Sequence, residues 1–185
     1  DAGLLPATAL VRIHATSGYS GGGKSMIERY ENHDEPGWRS RPYALGLNHK
    51  HVPEMRYFSG LEQAPLFAPS VGHYYKGMLV QVPLFGRELA GEYRPADLVD
   101  VLQQRYADEP FVEVREAQDD SMLDLGLLSP TACNGTNRVE LMVFGHADQM
   151  LLVARLDNLG KGAAGAAVQN LNIMLGCDEQ ESLAA

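Results

Sequence analysis

Gly18-Tyr-Ser-Gly-Gly-Gly-Lys-Ser25 matches the phosphate-loop pattern G-x-x-x-x-G-K-[ST] at every position, between a strand-like and a helix-like segment. Its reading decides the fold. A nucleotide-cradling loop requires buried parallel strands that alternate with long helices. The segment before it, residues 8–16, instead alternates Val11 and Ile13 against Arg12 and His14, as a half-buried strand does. The segments after it do not alternate strand with long helix. A glycine-rich turn also arises wherever the backbone needs room at positive φ. The sequence therefore reads as an α+β domain with a mixed, largely antiparallel sheet. A phosphate-loop nucleotide-binding protein stays as an alternative.

Outward from that turn, residues 24–31 form a helix and 32–42 a polar loop with Pro36 and Pro42. Tyr43-Ala-Leu-Gly-Leu-Asn-His-Lys-His-Val-Pro-Glu-Met55 follows. Its histidines alternate, so an extended backbone points both rings to one side. Pro53 suits the first turn of a helix over 53–58. Imidazole has the ordinary pKa best suited to proton transfer near neutrality. A strand end carrying His49 and His51 can hold a general base, and it can equally be a surface pair with no task.

Further strands are expected at 66–71, 77–85 and 111–115, and a helix at 95–106, opened by Pro95. Residues 119–130 are mixed. Residues 138–146 and 150–156 form a hairpin turning at 147–149, and 162–175 an alanine-rich helix. Gly160-Lys-Gly-Ala-Ala-Gly165 matches the dinucleotide fingerprint, but that motif needs a further acidic-ended strand about twenty residues on, where the chain ends. Small residues there serve close packing instead.

The formal net charge of -9 argues against nucleic-acid or anionic-membrane partners. No apolar run reaches a membrane span. Cys133 and Cys177 form neither a metal pattern nor a disulfide framework, which fits a reducing cytoplasm; no metal site is expected. Residues 1–6 read as the end of a helix and its exit loop, so the chain is expected to start inside a larger protein.

Six blocks occur in order: Ala15 to Lys24, Tyr43 to Met55, Tyr75-Lys-Gly-Met78, Tyr106 to Val112, Asn134-Gly-Thr-Asn137, and Asp157 to Asn172. Together they resemble the N-acetyl-γ-glutamyl-phosphate reductase family, in its shorter subfamily. The histidine block and the last block are the specific ones. The resemblance implies a two-domain enzyme of arginine biosynthesis with a first, NADP-binding domain that carries a nucleophilic cysteine in an Asn-Pro-Gly-Cys motif. Neither that domain nor that motif is present here. Residues 1–157 resemble the substrate-binding, catalytic and dimerisation domain, similar to that of glyceraldehyde-phosphate dehydrogenase, with helices on one face of the sheet. Residues 158–185 resemble the helix that returns to pack on the first domain.

The implied reaction reduces N-acetyl-glutamyl 5-phosphate to the 5-semialdehyde, with release of phosphate, through a cysteine thioester. The resemblance assigns acid/base work to His51, with His49 as the alternative. Tyr43, Ser20 and Lys24 become substrate contacts, and Ser17, Gly18 and Asn158 cofactor contacts. Glu54 either orients an imidazole or caps its helix. Lys24 is equally an anion clamp or an exposed helix residue. The implied partners are a small acyl phosphate, the missing NADP-binding domain and a second copy, as a homo-oligomer (dimer or tetramer). A related acyl-phosphate reductase, such as aspartate-semialdehyde dehydrogenase, and a non-catalytic interaction domain are the other readings.

Overall fold

The six expected strands and one short edge strand build one seven-stranded sheet in the computed structural model, which describes residues 2–32 and 39–185. The elements follow in order as β1 (Arg12–Gly18), α1 (Lys24–Glu31), β2 (Arg41–Pro42), α2 (Val52–Ser59), β3 (Leu66–Gly72) and β4 (Met78–Phe85). Then come α3 (Pro95–Arg105), β5 (Val112–Val114), β6 (Leu123–Asp124), β7 (Leu127–Leu128), β8 (Val139–His146), β9 (Gln149–Leu156) and α4 (Gly165–Leu175). The strand order is β2-β3-β1-β4-β9-β8-β5, and β6 with β7 forms a separate ribbon. β1–β3 and β5–β8 pair in parallel, whereas β1–β4, β2–β3, β4–β9 and β8–β9 are antiparallel. This is the mixed, largely antiparallel α+β sheet expected.

Register fixes the faces. Ile13, Ala15 and Ser17 pair with Phe67, Pro69 and Val71, and through β4 and β9 they share a face with Val143. On that face Leu98 and Val99 of α3 pack on Val143 and Met150 to form the main core cluster. Met55 and Ser59 of α2 line a cavity together with Ile13. The opposite face carries a buried ion pair. Arg155 donates through Nε to Glu140 at 2.6 Å and through an Nη to the Ser129 carbonyl at 3.1 Å. That arrangement holds the 129–133 loop against the sheet and leaves Cys133 with no exposed surface.

Four expectations change. The histidine block is not a strand end. Ala44 and Leu47 adopt φ of 52° and 56°, so the chain turns twice, and His51 is already near-helical (φ -83°, ψ -10°) ahead of α2. The polar 32–42 loop ends in a two-residue edge strand, β2, where Pro42 needs no ladder donor; residues 33–38 lie outside the described residues. The last helix begins earlier than 162, as a π-helical turn over Gly160–Ala164. Residues 2–6 are irregular rather than the end of a helix.

Candidate active site

Two clusters hold the residues singled out by sequence. The first lies on the helix-covered face. Tyr43 donates its N–H to the Pro69 carbonyl at 3.0 Å, and the chain then folds back over β3. This brings the His49 ring to 5.2 Å from the Phe67 ring, 5.6 Å from Tyr43 and 4.8 Å from His51. The His51 N–H donates to His49 Nδ1 at 3.3 Å. His49 Nδ1 is therefore an acceptor, and its ring proton sits on Nε2. Burial, then the neighbouring His51 and Lys50, hold His49 below the usual imidazole pKa. His49 is neutral at pH 7. Among the described residues, neither ring nitrogen of His51 makes a hydrogen bond, and the residue is exposed. Glu54 stands in the first turn of α2 but makes no capping bond.

The second cluster gathers where β1 and β3 end together and β4 begins. Gly18 donates to the Gly77 carbonyl at 2.9 Å, Tyr19 to Tyr74 O at 3.0 Å and Ser20 to Tyr75 O at 3.0 Å. A Cβ on Gly18 would lie 2.5 Å from Tyr75 O, which explains the glycine there. Burial pushes the Tyr74 hydroxyl up to about 12, and it donates to the Thr16 carbonyl at 3.0 Å.

Those bonds dispose of the phosphate-loop geometry. The N–H groups of Gly18, Tyr19 and Ser20 are spent on the 74–77 loop, and that of Gly23 on Ser20 O. A phosphate cradle needs them free. Lys24 stands outside, its side chain 90% exposed and 3.8 Å from Glu28.

Asp157 and Asn158 join this end from β9. Asp157 has no exposed surface. Burial alone would raise its pKa, but the donors Gly135 N–H, Lys76, Gly160 N–H and Leu159 N–H outweigh it and hold the carboxyl at about 2. Asn158 accepts from Gly77 N–H at 2.7 Å and donates to Ser20 Oγ at 3.3 Å.

The structure thus brings Tyr43, His49 and His51 together, and separately Gly18, Ser20 and Asn158. Ser17, on the same sheet face as Phe67, stands four residues along from it, or roughly 13 Å. Sequence reasoning gave Lys76 and Asp157 no role. An acidic residue ahead of Asn-Leu-Gly is a helix-start signal that could have shown the bonds Asp157 makes with Leu159 and Gly160, but not the one with Lys76. Cys133 is no candidate nucleophile: burial, then the Glu140 carboxylate, push its thiol pKa up. Among the described residues no group of three or more His, Cys, Asp or Glu could hold a metal ion. No helix of the described residues is long and apolar enough to cross a membrane.

Comparison with known proteins adds three findings. Residues 1–158 match the family described as semialdehyde dehydrogenase, dimerisation domain. N-acetyl-gamma-glutamyl-phosphate reductase 2 of a Nostoc species is 47% identical over 190 aligned positions, covering 98% of this chain and 59% of that protein. The N-acetyl-gamma-glutamyl-phosphate reductase of Brucella ovis is 46% identical, covering 95% and 58%. The chain thus spans about three fifths of the length of these curated relatives. Among solved structures, a probable aspartate-semialdehyde dehydrogenase from Pseudomonas aeruginosa superposes with a TM-score of 0.60 at 17% identity, over 91% of this chain and 56% of that one. Aspartate semialdehyde dehydrogenase II from Vibrio cholerae gives 0.55 at 16%, over 89% and 55%. At those identities the likeness is one of fold.

Proposed function

The chain belongs to the semialdehyde dehydrogenase dimerisation-domain family, and from that premise we propose that it is the second half of an N-acetyl-γ-glutamyl-phosphate reductase. The whole enzyme would convert N-acetyl-glutamyl 5-phosphate to the 5-semialdehyde and phosphate in arginine biosynthesis, in the cytoplasm. Identities of 47% and 46% to proteins of that name favour this substrate over aspartyl phosphate.

The observation that carries the reading is the histidine pair: two rings 4.8 Å apart, one held neutral, the other with both nitrogens unbonded among the described residues. A thiolate from the preceding half adds to the acyl carbon, and phosphate leaves. The oxygen of the sulfur adduct must then gain or lose a proton. His51 is the acid/base for that proton. His49, neutral and anchored on Phe67, orients the substrate beside it, and Tyr43 walls the cleft. Ser20 and Lys24 meet the substrate's anionic groups.

NADPH, when bound, would supply the hydride, and of this chain's residues Ser17, Gly18 and Asn158 would hold it. Asn158 fits that duty: a carboxamide has two N–H groups and two lone pairs, and only one of each is used.

Residues 1–157 form the catalytic and dimerisation domain of a homo-oligomer. Residues 158–185 return to the NADP-binding domain. The apolar side chains that α4 exposes, Leu171, Ile173, Met174 and Leu175, support that docking. In the full-length protein, His51→Ala is expected to lower kcat by about 10²–10⁴-fold. The assay is phosphate-dependent NADP⁺ reduction by the semialdehyde, with circular dichroism as the folding control. Turnover near the parent's would move the role to His49.

A further inference from the structure

Asp157 is saturated. Its Oδ2 accepts from Lys76 Nζ and Gly135 N–H, both at 2.8 Å, and its Oδ1 from Leu159 N–H at 2.9 Å and Gly160 N–H at 3.0 Å. Neighbours of the two ionic partners continue the network. Asn158, next to Asp157, holds the Gly77 N–H. Gly77, next to Lys76, offers its carbonyl to Gly18 N–H at 2.9 Å. The Lys76 carbonyl is itself fixed by Asn134 Nδ2 at 2.8 Å. A single path therefore runs from Asp157 and Lys76 through Asn158 and Gly77 to Gly18. Gly77 permits it by adopting φ 119°, and a Cβ there would lie 2.4 Å from the Pro130 carbonyl.

Ser17 and Gly18 end β1, where they pair with Val71 and Gly72 of β3 and Ser17 also with Met78 of β4, whereas the 3-10 turn that follows Gly18 lacks a side-chain cap. Its position is set from outside, by the 74–77 loop and Asn158. Of the Lys76–Asp157 pair only the carboxylate is sealed, the Lys76 side chain being 34% exposed, and a sealed carboxylate with four donors holds those donors in one arrangement. Placement errors of about 1 Å near reacting atoms cost about 10²-fold in rate.

We propose that Lys76 and Asp157 are positioning residues, which fix the Gly18–Ser20 turn at the end of β1, at the reacting centre, by holding Gly77 and Asn158 in register. The inference rests on the reductase reading above. Neither residue touches substrate or cofactor; they act through Asn158 and Gly77.

The test uses the full-length protein with Lys76→Met, Lys76→Gln and Lys76→Arg, beside His51→Ala. Lys76→Met is expected to lower kcat about 10- to 100-fold while KM for semialdehyde and phosphate stays within about threefold. Lys76→Arg, which restores the charge, is expected to recover kcat to within about threefold of the parent. The shape of the pH–rate profile stays that of the parent, because the imidazoles are untouched. Should Lys76→Met not fold, Lys76→Gln, which removes the charge and is too short to reach Asp157 as the ammonium does, is read the same way. A folded Lys76→Met or Lys76→Gln enzyme with kcat near the parent's, or a loss that Lys76→Arg does not rescue, overturns the proposal. His51→Ala separates the two failures. If it abolishes turnover while the Lys76 variants do not, only the positioning role falls. If it leaves turnover intact, the assignment of the reacting centre falls first.

Discussion

The histidine cluster and the Asp157 centre are built on the same sheet by opposite means. His49 and His51 stand at the end of a loop with two positive-φ residues, their rings held by aromatic contacts and by the bond from the His51 N–H to His49 Nδ1. Asp157 is sealed, with both oxygens fully bonded by four donors. One region keeps nitrogens available and can adjust; the other has nothing left to offer a ligand and cannot move. Proton transfer needs the first property, and holding a turn in place needs the second.

That contrast predicts where substitutions hurt stability. The largest loss is expected from Gly18→Ala. The new Cβ would meet Tyr75 O at 2.5 Å and the Lys76 backbone at 2.7 Å, and backbone cannot swing aside. A loss of about 2–4 kcal/mol is expected in urea unfolding. His51→Ala is expected to stay within about 0.5 kcal/mol of the parent in the same measurement, since the side chain is exposed and makes no cap bond. Comparable losses from both would break the contrast.

What was legible in the sequence follows the same division. Period-2 alternation and proline-opened helices gave β1, β3, β4, β8, β9 and α3 to within a few residues, because those signals are local. The histidine pair was legible by residue type, yet its backbone was not. Alternation suggested an extended segment, and Ala44 and Leu47 turn instead, though neither residue favours positive φ. Tertiary contact with Phe67 keeps the rings adjacent. Lys76 and Asp157 were invisible as a pair because 81 residues separate them and only the β4–β9 register brings them together. The Gly18–Ser25 stretch matched a phosphate loop, and the N–H groups of Gly18, Tyr19 and Ser20 are bonded to a segment that local pattern cannot reveal.

A middle-sized effect probes the Asp157 centre by acid. Its folded pKa of about 2 lies below the ordinary 3.8. The stabilisation is therefore complete above the unfolded value and is lost as pH falls through about 2. The shift corresponds to about 2 kcal/mol. Urea unfolding at pH 5 and at pH 2 is expected to show a gap between parent and Asp157→Asn that shrinks by about that amount at the lower pH. A gap that holds constant would mean that Asp157 stabilises only by packing.

The smallest effect falls on Lys24, the residue on which the sequence was most ambiguous. Its ion pair with Glu28 is long, at 3.8 Å, and exposed, so Lys24→Ala is expected to change stability by less than about 0.5 kcal/mol. The proposed contact with a substrate anion is then separable from any structural role. It predicts a KM for phosphate raised about three- to tenfold with kcat unchanged, the pattern of lost uniform binding. Because the ammonium is solvated, that difference should fade as salt is raised to about 1 M, where screening acts within about 3 Å. A KM that does not move returns Lys24 to the outer face of α1 and leaves anion binding to groups nearer the histidines.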